Sequence, residues 1–154
     1  MKQMIAWSLC LLVLVGISGC EKSRRLKTEY VEGVVTLDGL PISNVTLTFI
    51  PSGTAGESAN GYSDEKGGYK LSSINGDAEK GALEGEYKIT LTKVEVTEYK
   101  EGDPKAPKDS QGRPYYVTQK ELIPKVYTNA STTPLTYTVV KGKQTHNIEL
   151  LSKP

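Results

Sequence analysis

Hydrophobic and polar positions divide the chain into two regimes. From Met4 to Val15 (MIAWSLCLLVLV) the residues are almost continuously apolar, behind a short Met1-Lys2-Gln3 start. From Glu29 onward apolar and polar residues alternate, the period-two pattern of half-buried strands. Val31, Val35 and Leu37 share one face before Asp38-Gly39-Leu40-Pro41 turns the chain. Val45, Leu47 and Phe49 alternate up to Pro51-Ser52-Gly53, and Ala59 to Ser63 reads as a short strand. Asp64 to Gly68 is a turn into Tyr69-Lys70-Leu71. After a polar loop from Asn75 to Gly85, Tyr87, Ile89 and Leu91 alternate and continue through Val94 and Val96. Leu135, Tyr137 and Val139 form one further strand and His146, Ile148 and Leu150 the last, with Lys141-Gly142-Lys143 between them. The same parity puts Tyr62, Tyr69, Tyr87 and Tyr137 on the inward side. Helical spacing is limited to one turn expected near Gln119 to Leu122. About seven strands with short turns predict two packed antiparallel sheets, because a single open sheet would leave an apolar face wet.

The stretch from Glu98 to Gln119 breaks the alternation. It is rich in Lys, Asp, Gly and Pro and longer than an ordinary connection, which makes it either a mobile insertion or a functional loop. Tyr99, Tyr115 and Tyr116 lie in or beside it, and exposed aromatic rings of this kind are candidate ligand contacts.

The apolar start has the layout of an export signal and is shorter than a spanning helix requires. Its end, Ile17-Ser18-Gly19-Cys20, resembles the bacterial lipoprotein signal motif. Small Ser18 and Gly19 admit the signal peptidase to the bond before Cys20, with Ile17 as the branched apolar position. A cysteine thiol there can accept a diacylglyceryl group as a thioether. The resemblance implies cleavage after residue 19, fatty acylation (palmitate or similar chains) of Cys20, and a polar stalk over 20–28. Each buried CH₂ contributes ~0.8 kcal/mol, so two or more chains make a lasting tether to the bilayer. Glu21 stands where an Asp would retain some Gram-negative lipoproteins in the inner membrane. The expected address is therefore the cell envelope, on the outer membrane, facing the periplasm or the cell surface.

Composition narrows the chemistry. Loss of Lys2 with the leader leaves eighteen basic side chains against eighteen acidic ones, which gives no electrostatic case for nucleic acid. Of the two cysteines, Cys10 leaves with the leader and Cys20 is alkylated, so no disulfide is expected. The single histidine, His146, excludes a His-cluster metal site, and neither a metal nor another cofactor is expected. By parity His146 joins Ile148 and Leu150 as a rim or core residue. Asp64 and Glu65 read as an ordinary turn, not a calcium loop.

One longer pattern is familiar. Val31-x-Gly33-x-Val35-Thr36-Leu37-Asp38-Gly39-x-Pro41-Ile42-x-Asn44-Val45-x-Leu47-x-Phe49 is followed by Ser63-Asp64-x-x-Gly67-x-Tyr69-x-Leu71 and Gly85-x-Tyr87-x-Ile89. Ile123-Pro124, Tyr127, Leu135-Thr136 and Val139 to Gly142 complete it. This resembles carboxypeptidase regulatory-like domains, and especially the small planctomycete lipoproteins that carry one. The resemblance covers Glu29 to Leu151 and implies a transthyretin-like (prealbumin-like), seven-stranded Greek-key β-sandwich over 29–154, without catalytic residues. The expected function is that of a non-enzymatic, membrane-anchored lipoprotein of the cell envelope, acting as a structural module or as one that contacts an envelope protein or polysaccharide. The alternative is a module binding a small molecule or glycan through the 98–119 loop and its tyrosines.

Overall fold

Alternation does become extended chain in the computed structural model, which describes residues 26–53, 56–73 and 81–154. Ile17, Ser18, Gly19 and Cys20 lie outside the described residues. The first half contains β1 (Val31–Leu37), β2 (Leu40–Pro41), β3 (Thr46–Pro51), β4 (Ala59–Tyr62), β5 (Gly68–Ser73) and β6 (Gly85–Thr92). Then come β7 (Val94–Glu98), β8 (Val117–Glu121), a single helical turn α1 (Lys125–Thr128), β9 (Thr136–Val139), β10 (Gln144–Thr145) and β11 (Ile148–Leu150). The main sheet runs β10-β1-β5-β4-β3-β6-β9, with β2 and β11 also paired to β1. β7 and β8 form a separate two-stranded sheet. The all-β expectation holds.

The expectation of antiparallel pairing throughout does not. β10 and β11 run parallel to β1, with Val31 opposite Gln144 and Val35 opposite Ile148. The reason is topological. Direction alternates from β1 through β5, β4, β3 and β6 to β9, each pair antiparallel. The turn at 140–143 reverses the chain once more, so β10 arrives at β1 pointing the same way. A circuit of seven strands is odd, and one of its contacts has to be parallel.

Curling the sheet also solves the wet-face problem. The inner side chains Val31, Val35, Leu47, Phe49, Leu71, Tyr87, Ile89 and Leu91 are all buried in one cluster. Phe49, the single phenylalanine of the chain, sits at the hub. Its ring lies 6.1 Å from Tyr87, 6.4 Å from Tyr137 and 6.5 Å from both Tyr69 and His146. Tilted and edge-on aromatic contacts of this kind add to the area they bury.

The ends of the circuit meet without a ladder, and side chains replace it. Gln144 accepts at Oε1 from Val140 N–H (3.1 Å) and from the Tyr137 hydroxyl (3.0 Å), while its Nε2 donates to Val140 O at 2.5 Å. Tyr137 and His146 stack at 4.0 Å across the same seam. Between β10 and β11 a second substitution occurs. Gln144 N–H bonds Tyr30 O and His146 N–H bonds Glu32 O, so a regular parallel ladder would next send Val34 N–H to His146 O. Instead the Tyr69 hydroxyl donates to His146 O at 2.6 Å, and Val34 N–H finds Asn147 Oδ1 at 3.1 Å. Both halves of the lost rung are satisfied, the His146 carbonyl in a part-buried position and Val34 N–H in an exposed one. Gly33 makes room, since a Cβ there would lie 1.8 Å from His146 O. Burial pushes the Tyr69 hydroxyl well above the ordinary phenol range, with the neighbouring Tyr137 adding to it, so it stays a donor.

Four further expectations are corrected. Tyr62 faces out, because Ala59 and Ser63 face in and the inner space at Gly61 is filled by Leu71 and Tyr69. Val94 and Val96 do not prolong the core strand; after Lys93 they form β7 and are exposed. The 98–119 segment is not wholly loop: its ends belong to β7 and β8, paired from Val94↔Glu121 to Glu98↔Val117, and Ala106 inside it is buried. Gln119 to Glu121 is strand, and the helical turn falls instead at Lys125–Thr128, just after Pro124.

The seam and hub predict graded losses in urea unfolding. Tyr69→Phe orphans the His146 carbonyl and is expected to cost about 1–3 kcal/mol. Phe49→Ala is expected to cost about 3–5 kcal/mol. Gly33→Ala should cost more than Tyr69→Phe, since it forces two backbones apart; equal or smaller loss would contradict the close approach.

Candidate functional site

Strand parity sends Val31 and Val35 inward and therefore Glu32 and Val34 outward, onto the solvent face of β1. Lys70 of β5 lies directly opposite Glu32, and Thr145 and Asn147 border the other side of β1. Tyr62 and Asp64, at the β4–β5 connection, complete a groove of about 580 Å³ across this face. The volume falls within the usual range of small-molecule sites, about 300–1,000 Å³.

Each wall is held by its own bonds. The Tyr62 ring is exposed (60%) but not loose, because its hydroxyl donates to Asn44 Oδ1 at 3.0 Å. Asn44 itself sits at φ 56°, the left-handed turn conformation that Asn tolerates. Asp64 Oδ1 accepts from Lys66 N–H and Gly68 N–H, both at 2.8 Å. That is the ordinary turn expected from Asp64-Glu65, and it leaves Oδ2 facing Gly68, where a Cβ would come within 3.0 Å of it. Asn147 is oriented by Val34 N–H through Oδ1, so its Nδ2 donors are directed elsewhere. Glu32 takes the Tyr30 hydroxyl at 2.7 Å and Lys143 Nζ at 2.9 Å, and Lys143 lies 5.0 Å from the centre of the Tyr30 ring. The Lys143 bond first, then the Tyr30 bond, holds the Glu32 carboxyl below the usual range, and the same pair raises the Lys143 ammonium. A smaller cavity of about 350 Å³ lies on the β6–β9 face, bordered by Ser52, Glu86, Thr136 and Thr138.

The tyrosines expected to contact a ligand are placed on the arm. Tyr99 N–H bonds Tyr116 O at 2.8 Å, which pairs these two residues just beyond the β7–β8 ladder, and Tyr115 N–H bonds Pro107 O. Tyr115 and Tyr116 are exposed and Tyr99 is half-buried. The loop itself is ordered by Asp109, which accepts Gln111 and Arg113 N–H and the Arg113 guanidinium. Neither cavity described above is bordered by these tyrosines. Sequence reasoning missed the groove residues Tyr62, Lys70, Thr145 and Asn147. The available signal was the run Ala59-Asn60-Gly61-Tyr62-Ser63, whose small residues share one parity and whose large ones share the other.

His146 is half-buried between the Tyr137 ring and the edge of Phe49, as a packed core residue would be. Among the described residues no group of three His, Cys, Asp or Glu side chains could hold a metal ion, and no helix is long and apolar enough to cross a membrane. No family model, no curated protein and no solved structure matches the chain.

Burial lowers the His146 pKa, with a definite consequence for pH. Below about pH 6.5 the unfolded chain takes up a proton that the folded stack resists. Stability is therefore intact above that value and falls as pH drops towards the folded pKa, below which the loss levels off. In urea melts between about pH 7.5 and pH 5, His146→Phe should remove part of the slope shown by the wild type. Identical slopes would contradict the assignment.

Proposed function

We propose that the protein is a non-enzymatic lipoprotein of the bacterial cell envelope, tethered through acylated Cys20 and presenting its β-domain as an interaction module. Support for the tether is the Ile17-Ser18-Gly19-Cys20 sequence behind an apolar run with a basic start. With Glu21 after the cysteine, the destination is the outer membrane. Support for the domain being of the carboxypeptidase regulatory-like, transthyretin-like Greek-key kind lies in its motif glycines. Gly33 permits the closest backbone approach at the seam, and Gly39 (φ 80°) and Gly67 (φ 76°) occupy left-handed turn positions that a Cβ would strain.

The interaction role rests on the β7–β8 arm. Val94, Val96 and Val117 are about half exposed (49%, 53% and 54%) and share one face of the ribbon, outside the core cluster. An isolated two-stranded ribbon is only marginally stable in water, so contact with an envelope component both covers these residues and rigidifies the arm. A second reading, a module for a small molecule or glycan, is favoured by the groove on β1 and β5 more than by the arm tyrosines.

Cys20→Ala is expected to move the protein from the membrane fraction to the soluble fraction and to remove an acyl increment from the intact mass. Retention in the membrane would overturn the tether. Val96→Lys with Val117→Lys should leave the unfolding free energy within about 0.5 kcal/mol of wild type, yet abolish partner recovery from detergent-solubilised envelopes. Unchanged recovery would overturn the role of the arm.

A further inference from the structure

We propose that the outer-face groove over β1, β5 and β10 is a binding site for a neutral saccharide, with the Tyr62 ring as its platform. The proposal concerns the folded domain alone and does not depend on acylation of Cys20. Three features of the groove carry it.

First, the groove is preformed. Tyr62 is held by Asn44, Asp64 by its own turn and Asn147 by Val34 N–H, so the ring, the carboxylate and the amide need no ligand to orient them. Preorganised side chains lose little entropy on binding. Second, the free valences are mixed. Asp64 Oδ2 can accept, Asn147 Nδ2 can donate, and the Thr145 hydroxyl can do either. Adjacent sugar hydroxyls, each a donor and an acceptor, match such a set, while the apolar C–H face of a pyranose suits an exposed aromatic ring. Third, the charges cancel. Glu32 and Asp64 are balanced by Lys70 and Lys143, and Glu32 is already committed to Lys143 and Tyr30. The groove therefore has no bias towards an ionised ligand.

A peptide is the weaker fit. β1 is an interior strand with β5 on one side and β10 and β11 on the other, and even its irregular rung is filled by Asn147. Among the described residues, β1 and β5 offer no unpaired backbone edge on this face for an extended chain to add to.

The test uses the full acylated chain in a detergent without a sugar headgroup. Cellotriose, maltotriose, N-acetylchitotriose and trigalacturonate are titrated separately up to about 10 mM with calorimetric readout. At least one of the three neutral trisaccharides is expected to bind. Tyr62→Ala should weaken it at least about tenfold, whereas Tyr62→Phe, which keeps the ring, should stay within about threefold. Asp64→Asn, which retains the Oδ1 acceptor of the turn and exchanges Oδ2 for a donor, should also weaken binding while leaving the thermal midpoint unchanged. Binding of trigalacturonate alone, no binding of any neutral sugar, or neutral-sugar binding that survives Tyr62→Ala would each overturn the proposal. Cys20→Ala should leave the affinity unaltered, which separates this claim from the anchoring one.

Discussion

The parallel contact between β1 and the C-terminal strands is the constraint on which the rest of the domain depends. Antiparallel pairing carries the chain through six strands, and the seventh meets the first in the same direction because the circuit is odd. At the midpoint of that contact the regular rung is given up. The Tyr69 hydroxyl takes the His146 carbonyl on the inner face of the curled sheet, and the Asn147 side chain takes Val34 N–H. Leaving a buried polar group unpaired costs about 1–3 kcal/mol; the part-buried His146 carbonyl avoids that through Tyr69, while the exposed Val34 N–H is held by Asn147. Gly33 then follows as a requirement of space.

That repair shapes both faces of the sheet. Inside, drawing His146 towards Tyr69 places its imidazole on the Tyr137 ring and against Phe49, which joins the first and last strands of the circuit through one aromatic cluster. Outside, committing Asn147 Oδ1 to the backbone fixes the amide that borders the groove. The same residues therefore stabilise the fold and set the chemistry of the outer-face groove. By contrast neither β7 nor β8 contributes a side chain to the core cluster, and Val94, Val96 and Val117 are exposed.

Local chemistry was legible in the sequence, and non-local pairing was not. Alternation located Val45, Leu47, Phe49, Tyr87, Ile89 and Leu91 in the core, because a period of two has one meaning when a face is buried. Turn residues behaved as their chemistry dictates at Asp64 and Asn44. Asp38 adopts the expected turn conformation, but its carboxylate accepts Ser152 N–H at 3.0 Å, not a bond within its own turn. Val94 and Val96 misled because an exposed ribbon alternates as a core strand does. Tyr62 misled because its short strand was read in the wrong parity, whereas the inward positions are Ala59, Gly61 and Ser63 and the interior beside Gly61 is occupied by Leu71 and Tyr69. The parallel return of β10 has no local signature, since it joins residues over 110 positions apart in the chain, as Val34 and Asn147 are (|i−j| = 113), and the Ala59 to Ser63 run signals only the Tyr62 wall of the groove.

The substituted rung at the seam is open to direct measurement by amide hydrogen exchange. Val34 N–H depends on the Asn147 side chain, whereas His146 N–H depends on the Glu32 backbone carbonyl at 2.8 Å. In Asn147→Ala, exchange at Val34 should accelerate at least about tenfold while His146 stays protected. Equal protection of both amides in the variant, or equal loss at both, would contradict this account of how the domain closes.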